Sequence, residues 1–94
     1  MSGIEREEEG SKGRYVLRTE AGEAELTYSR LGSTRVIADH TGVPDAMSGQ
    51  GVGNQLVERL VADARSEGFL IVPLCPFVNA WRRRHADAAD AFDV

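Results

Sequence analysis

The chain is poor in cysteine, with one residue, Cys75, in a length of 94. A single thiol excludes a disulfide within the chain and fits a reducing compartment. Long apolar runs are missing as well. No stretch approaches the roughly 20 consecutive apolar residues that cross a bilayer. The N-terminal MSGIEREEEGSKG also lacks the basic start and apolar middle of a signal peptide. These absences lead us to expect a soluble, cytoplasmic protein with no membrane partner. Basic charge is not in surplus either: the formal net charge is −4. Binding to a phosphate backbone normally requires a basic face, so nucleic acid is not an expected partner. Only the arginines at 82–84 are locally basic. No internal repeat is present. Neither His40 nor His85 stands at a recognised metal-ligand interval from Cys75, so no metal site is expected.

What is present is enough for one small domain. A chain of 94 residues, 41% of them hydrophobic, buries roughly two thirds of its unfolded surface in a single core. Residues 1–13 are acidic, flanked by glycine and almost without apolar side chains. Ordering them costs about 1 to 2 kcal/mol per residue with no matching burial, so a disordered tail is expected there and a domain over 14–94. From Arg14 the pattern has period two: Tyr15 and Leu17 alternate with polar neighbours. After a turn at EAG, Ala24, Leu26 and Tyr28 alternate against Glu25, Thr27 and Ser29, which predicts a hairpin. A second turn at RLGS leads into TRVIADHT, rich in β-branched residues and read as a third strand. Residues 54–67 switch to helical spacing, with Leu56, Val57, Leu60, Val61 and Ala64 on one face, and Gly68 stands where a helix-ending glycine belongs. The apolar run FLIVPL then predicts a covered strand, giving a β–α–β unit with parallel or near-parallel pairing. A weaker apolar stripe through Val78, Trp81 and Ala89 predicts a C-terminal helix.

Between the third strand and the helix lies the feature that most needs an explanation. Gly49, Gly51 and Gly53 alternate and then give way abruptly to the helical run. Glycine tolerates positive φ and puts no side chain between its amide and a ligand. Successive amides over 49–53, backed by the positive end of a helix dipole, therefore suit an anion such as phosphate. The spacing matches neither the dinucleotide fingerprint, whose sixth position here is Asn54, nor the Walker loop with its lysine and hydroxyl. On the loop alone, a flexible turn before a helix is as good a reading.

The segment VIADHTGVPDAMSGQGVGNQLVERLVADARSEGFLIVPLCPFVNAW, taken as a whole, resembles the short single-domain branch of the GNAT superfamily of N-acetyltransferases, the YjdJ-type family. The matching pieces are a strand ending in His40 and Thr41, the Gly-x-Gly-x-Gly loop, an amphipathic helix and a strand ending PLCPFV, together about half the chain. The resemblance implies an α/β fold, a compact mixed sheet of about four or five strands with the amphipathic helix after the loop and a C-terminal helix. It also implies acetyl-CoA as co-substrate, entering between strands that splay beyond HT and LCPF. Gln50, Gly51, Val52, Gly53 and Asn54 then align with the segment that holds the CoA pyrophosphate, and Thr41, Gly42, Val43, Cys75 and Asn79 line the remainder of the cofactor path. The chain departs from the family in three places. Ser48 stands where glutamine or arginine is common, HADA over 85–88 replaces HPEY, and the short stretch 15–41 leaves no room for the helices that usually close the acceptor side.

Acetyl transfer to an amine requires the neutral amine. A lysine-like group with pKa near 10.4 is only on the order of 0.1% neutral at physiological pH, so a base or a desolvating site is needed. His40 is the best-placed base, although a strand-end histidine can equally be structural. Cys75 is either a nucleophile forming an acetyl-enzyme or a small packing residue beside the pantetheine. No cation adjacent in sequence favours the thiolate, so proximity without covalency is preferred. A backbone amide near 41–43 is expected to polarise the thioester carbonyl. Trp81 lines the acyl pocket or packs. The arginines at 82–84 meet the CoA 3′-phosphate or form a solvated face. The expected function is therefore direct acetyl transfer from acetyl-CoA to an amine, small molecule or protein lysine, in a ternary complex. The alternatives are a non-catalytic CoA-binding module and a purely structural interaction domain.

Overall fold

A computed structural model describes residues 3–94. Five strands form one sheet in chain order: β1 (Ile4–Glu9), β2 (Lys12–Thr19), β3 (Gly22–Leu31), β4 (Arg35–Gly42) and β5 (Leu70–Val72). The first four make an antiparallel meander, and β5 adds in parallel to β4 after the crossover helix α1 (Val52–Glu67). The sequence expectation of an α/β mixed sheet with a helix after the glycine loop therefore holds. The C-terminal helix is shorter than the pattern suggested. Helix α2 (Pro76–Arg84) stops at His85, which has non-helical angles of φ −129 and ψ 69, and a 3₁₀ turn over Ala86–Ala91 follows. Phe92 then bridges to Ile71, so the end of the chain adds a short parallel contact to β5.

The acidic N-terminal stretch departs from expectation. Its first two residues lie outside the described residues, but 4–13 form β1, a two-residue turn at Gly10 and Ser11, and the start of β2. Gly10 adopts φ 62, the sign a tight hairpin turn demands. Apolar burial alone could not order this stretch; the cross-strand charge pattern completes it. On the sheet face away from α1, Arg14 pairs with Glu7 at 2.7 Å and Glu25 at 2.8 Å, and Arg18 pairs with Glu5 at 2.6 Å and Glu7 at 3.1 Å. Val16 sits between these arginines, fully covered, although it belongs to no part of the main core. On the other face Ile4 joins the core, and Arg6 binds Glu67 and Asp63 of α1 while its guanidinium lies 5.6 Å from the Tyr15 ring centroid. Single exposed pairs contribute little, whereas two networks, one across three strands and one joining β1 to α1, accumulate.

The core lies between the sheet and α1. Tyr15, Leu26, Tyr28, Val36 and Ala38 of the strands meet Leu56, Val57, Leu60, Val61 and Ala64 of the helix. Two tyrosines take their hydroxyls to the rim: Tyr15 donates to Asp63 at 2.7 Å and Tyr28 donates to Glu8. Among the described residues no helix is long and apolar enough to cross a membrane.

These carboxylate bonds make stability pH-dependent. The Tyr28 hydroxyl, helped by Arg30, holds Glu8 below its ordinary value of 4.5, and Arg14 with Arg18 does the same for Glu7. Groups with depressed folded-state pKa values bind fewer protons folded than unfolded, so their contribution is complete above the ordinary value and lost as pH falls through the folded one. The unfolding temperature is expected to stay level from neutral pH to about pH 5 and to fall below it. In Glu8→Gln that fall should be shallower, as thermal unfolding across pH would show; an identical slope would remove Glu8 from the account.

Candidate functional site

The site begins where two strands part. β4 and β5 pair through Arg35 with Leu70, Val36 with Ile71 and Ile37 with Val72, and there the ladder stops. Pro73 has no N–H to continue it. The chain turns instead, the Leu74 amide bonding the Val72 carbonyl at 3.0 Å, and the Cys75 N–H reaches back to the Ala38 carbonyl at 2.8 Å. Cys75 then caps α2, with Pro76 as its first residue. β4 meanwhile runs on to Gly42, but with one residue too many: Tyr28 faces Ala38 and Thr27 faces His40, leaving Asp39 as a bulge whose carboxylate accepts the Ser29 hydroxyl at 2.6 Å.

The bulge resets which way the end of β4 faces. Thr41 turns toward the helices, its hydroxyl 3.4 Å from the Cys75 sulfur. His40 and Gly42, on either side of it in sequence, take the opposite face by strand alternation. A Cβ built on Gly42 would lie 3.3 Å from His40 Nε2, which puts the two together. The two residues expected to be catalytic are therefore not adjacent. Cys75 is buried on the helix side of the slot, and His40 is exposed on the open face. Glu23, Glu25 and Arg14 share with Gly42, Val43 and Pro44 a shallow cavity of about 410 Å³ on that open face.

The second half of the site is the mouth of α1. Met47, in a 3₁₀ turn over Asp45–Met47, is fully buried, and Val52 at the start of the helix is buried. Between these anchors residues 48–51 are exposed, with Gly49 at φ 78 and Gly51 at φ 72. Gly51 caps α1 without a side chain, and the first turn holds no acidic residue. The Gln55 N–H bonds the Gly51 carbonyl at 3.0 Å, so the amides of Val52, Gly53 and Asn54 precede the first bond of the helix and have no partner within it. A helix end with neither cap nor carboxylate keeps its partial positive charge free for an outside anion. The bare backbone expected from the sequence is in place.

The remaining predicted residues have other attachments. Val52 sends its side chain to the core and offers only its amide. A Cβ on Gly53 would lie 2.6 Å from the Phe77 ring, so here the missing side chain admits an aromatic from α2. Asn79 bonds the Cys75 carbonyl through its N–H and the Arg82 guanidinium through its side-chain oxygen, at 2.9 and 2.8 Å, committing it to α2. Gln50 is exposed on the loop. The sequence reading missed the link between α2 and α1: the Trp81 indole donates to Asn54 Oδ1 at 2.5 Å and stacks on His85 at 3.9 Å between centroids. His85 Nδ1 lies 2.7 Å from the Trp81 carbonyl, which only accepts, so Nδ1 carries the proton. The spacing Phe77, Trp81, His85 puts three aromatic rings on one helix face and was the available signal.

These features define a class: a small α/β domain in which two parallel strands separate beside the open amide end of a helix. A family model described as GCN5-related N-acetyl-transferase matches residues 14–91. The chain belongs to that family of acetyltransferases, which act with acetyl-CoA. It is also similar to the NMR solution structure of a GCN5-like candidate N-acetyltransferase from Staphylococcus aureus, at 29% identity and TM-score 0.71, covering 99% of this chain and 91% of that one. No curated protein sequence matches the chain.

Backbone conformation at the loop is directly testable. No heavy atom lies within 4 Å of a Cβ built on Gly51, so Gly51→Ala pays only for its positive φ, about 1 kcal/mol. Gly53 is helical, so Gly53→Ala carries no such strain and its cost comes from the Phe77 ring it must displace; in a Phe77→Ala background it should no longer destabilise. Thermal unfolding that finds Gly51→Ala neutral, or Gly53→Ala still destabilising once Phe77 is gone, would contradict this geometry.

Proposed function

We propose that the chain transfers the acetyl group of acetyl-CoA directly to an amine in a ternary complex, with the diphosphate at the mouth of α1 and the thioester in the slot between β4 and β5. The observation that carries this reading is the uncapped, acid-free end of α1 opening beside strands that separate after Ile37 and Val72. The amides of Val52, Gly53 and Asn54 would hold the diphosphate, with Gln50 and Gly51 forming the approach. When bound, acetyl-CoA supplies an acyl group activated as a thioester. Alternate residues of an antiparallel strand point their N–H groups away from the partner strand, so past Ile37 an outward amide within 41–43 is available to donate to the acyl oxygen.

His40 is assigned as the base that takes the proton of the incoming amine, which enters from the open face. Cys75 is assigned to lining the slot with Thr41. It is 2% exposed, its sulfur neighbours a hydroxyl, and His40 lies on the other face, so no base stands ready to make the thiolate that a covalent route requires. Asn79 is assigned an indirect part, holding the Cys75 turn. The acceptor is an amine, free or on a protein, and neither nucleic acid nor a membrane is assigned as a partner. The free thiol of Cys75 supports a cytoplasmic setting. One observation favours a CoA-binding module without turnover: among the described residues nothing bonds the His40 ring to fix its orientation.

Calorimetric titration with acetyl-CoA and with CoA at two salt concentrations tests the cofactor reading. Saturable binding that weakens with salt is expected; absence of heat and of thermal stabilisation would remove the cofactor. With an accepted amine in hand, His40→Ala should lose about a hundredfold in turnover while CoA affinity stays within about twofold, and Cys75→Ala should lose less than about tenfold. Loss of all turnover in Cys75→Ala with CoA binding retained would point to a covalent intermediate instead.

A further inference from the structure

Helix α2 grips the first turn of α1 at two successive residues. Phe77 lies on the bare Cα of Gly53, and Trp81, itself 4% exposed, donates its indole N–H to Asn54 Oδ1. The second contact has a chemical direction. Indole nitrogen only donates, so it selects the oxygen end of the carboxamide and fixes which way the amide is turned. The nitrogen end is thereby left over. No protein partner for Asn54 Nδ2 stands among the described residues, and no buried side-chain nitrogen or oxygen there lacks a partner, so Nδ2 faces solvent. Asn54 is the third residue of α1, in the same turn as the unpaired amides of Val52 and Gly53.

We propose that Trp81 is a positioning residue for the CoA diphosphate: by holding Asn54 Oδ1 it presents the Nδ2 donor, alongside the first-turn amides of α1, to a phosphate oxygen. This rests on the reading of the α1 mouth as the diphosphate site. Were the carboxamide free to turn, its oxygen would face the anion part of the time, and an acceptor facing an acceptor is repulsive. Trp81 thus acts through Asn54 and touches no ligand itself. A residue that merely fills space between α1 and α2 would affect stability without acting through Asn54 on the anion.

The test titrates CoA by calorimetry into the wild-type chain, Trp81→Phe, Asn54→Ala, Asn54→Asp and the Trp81→Phe/Asn54→Ala double variant, with thermal unfolding in parallel. Trp81→Phe and Asn54→Ala should each weaken CoA binding by about tenfold, the scale of one hydrogen bond to a charged group. The double variant should be no weaker than Asn54→Ala within about twofold, because one residue works through the other. Asn54→Asp keeps an acceptor for the indole and adds a negative charge that suits a helix start, so it should be as stable as wild type yet bind CoA more than about tenfold more weakly. Additive losses in the double variant, or wild-type affinity in Trp81→Phe, would overturn the proposal. Should Trp81→Phe fail to fold, Asn54→Asp decides: unchanged CoA affinity overturns it. A wild-type chain that binds no CoA sinks this proposal together with the cofactor reading, whereas wild-type binding with undisturbed variants sinks this proposal alone.

Discussion

The structure depends on one constraint: two parallel strands share three residue pairs and must then part. Proline at 73 ends the supply of N–H donors on β5, and the Cys75 amide closes the gap with a single bond to the Ala38 carbonyl. Because that bond falls before the bulge at Asp39, β4 continues alone to Gly42 with one edge unpaired. An unpaired strand edge inside a small protein is costly unless something occupies it, and the fold sets the start of α2 at Cys75 against this one, with the first turn of α1 held to α2 at Gly53 and Asn54. The slot and the amide end of α1 therefore follow from the same break in the ladder.

The bulge decides how the two faces of the slot are used. One extra residue turns Thr41 toward the cysteine and leaves His40 with Gly42 on the open side. A thiol and an imidazole on opposite faces cannot act as a nucleophile and its base. Under the proposed function, the acyl donor would come from the helix side and the amine from the other, and this separation, more than the burial of Cys75, is the reason that proposal takes the direct route.

The open face is built from charge. Rows of glutamate on β1 and β3 flank arginines on β2, cover Val16 and hold the first strand to the sheet. Much of this was present in the sequence as the alternation of Glu5, Glu7 and Glu9 with Ile4, Arg6 and Glu8, separated by Gly10 from Arg14 and Arg18. Apolar periodicity does not reveal that order, because an ion network has no signature until its partners' register is known. The hairpin of Tyr15 to Tyr28, the helix after the glycines and the parallel last strand were legible, since each carries its own hydrophobic period. The grip of α2 on α1 was hidden, because Asn54 and Trp81 are 27 residues apart and only folding places them together.

By itself the sequence determined the local elements, the family and the place of the bare backbone. Periodicity, glycine and the order of motifs are properties of neighbouring residues, and backbone physics acts on neighbours first. Only the tertiary structure decided that β1 is a strand, that Asp39 shifts the register, that His40 and Cys75 face apart, and that Trp81 orients Asn54. Each of these depends on which residues meet across the sheet or between helices, and that is set by the packing of the whole core.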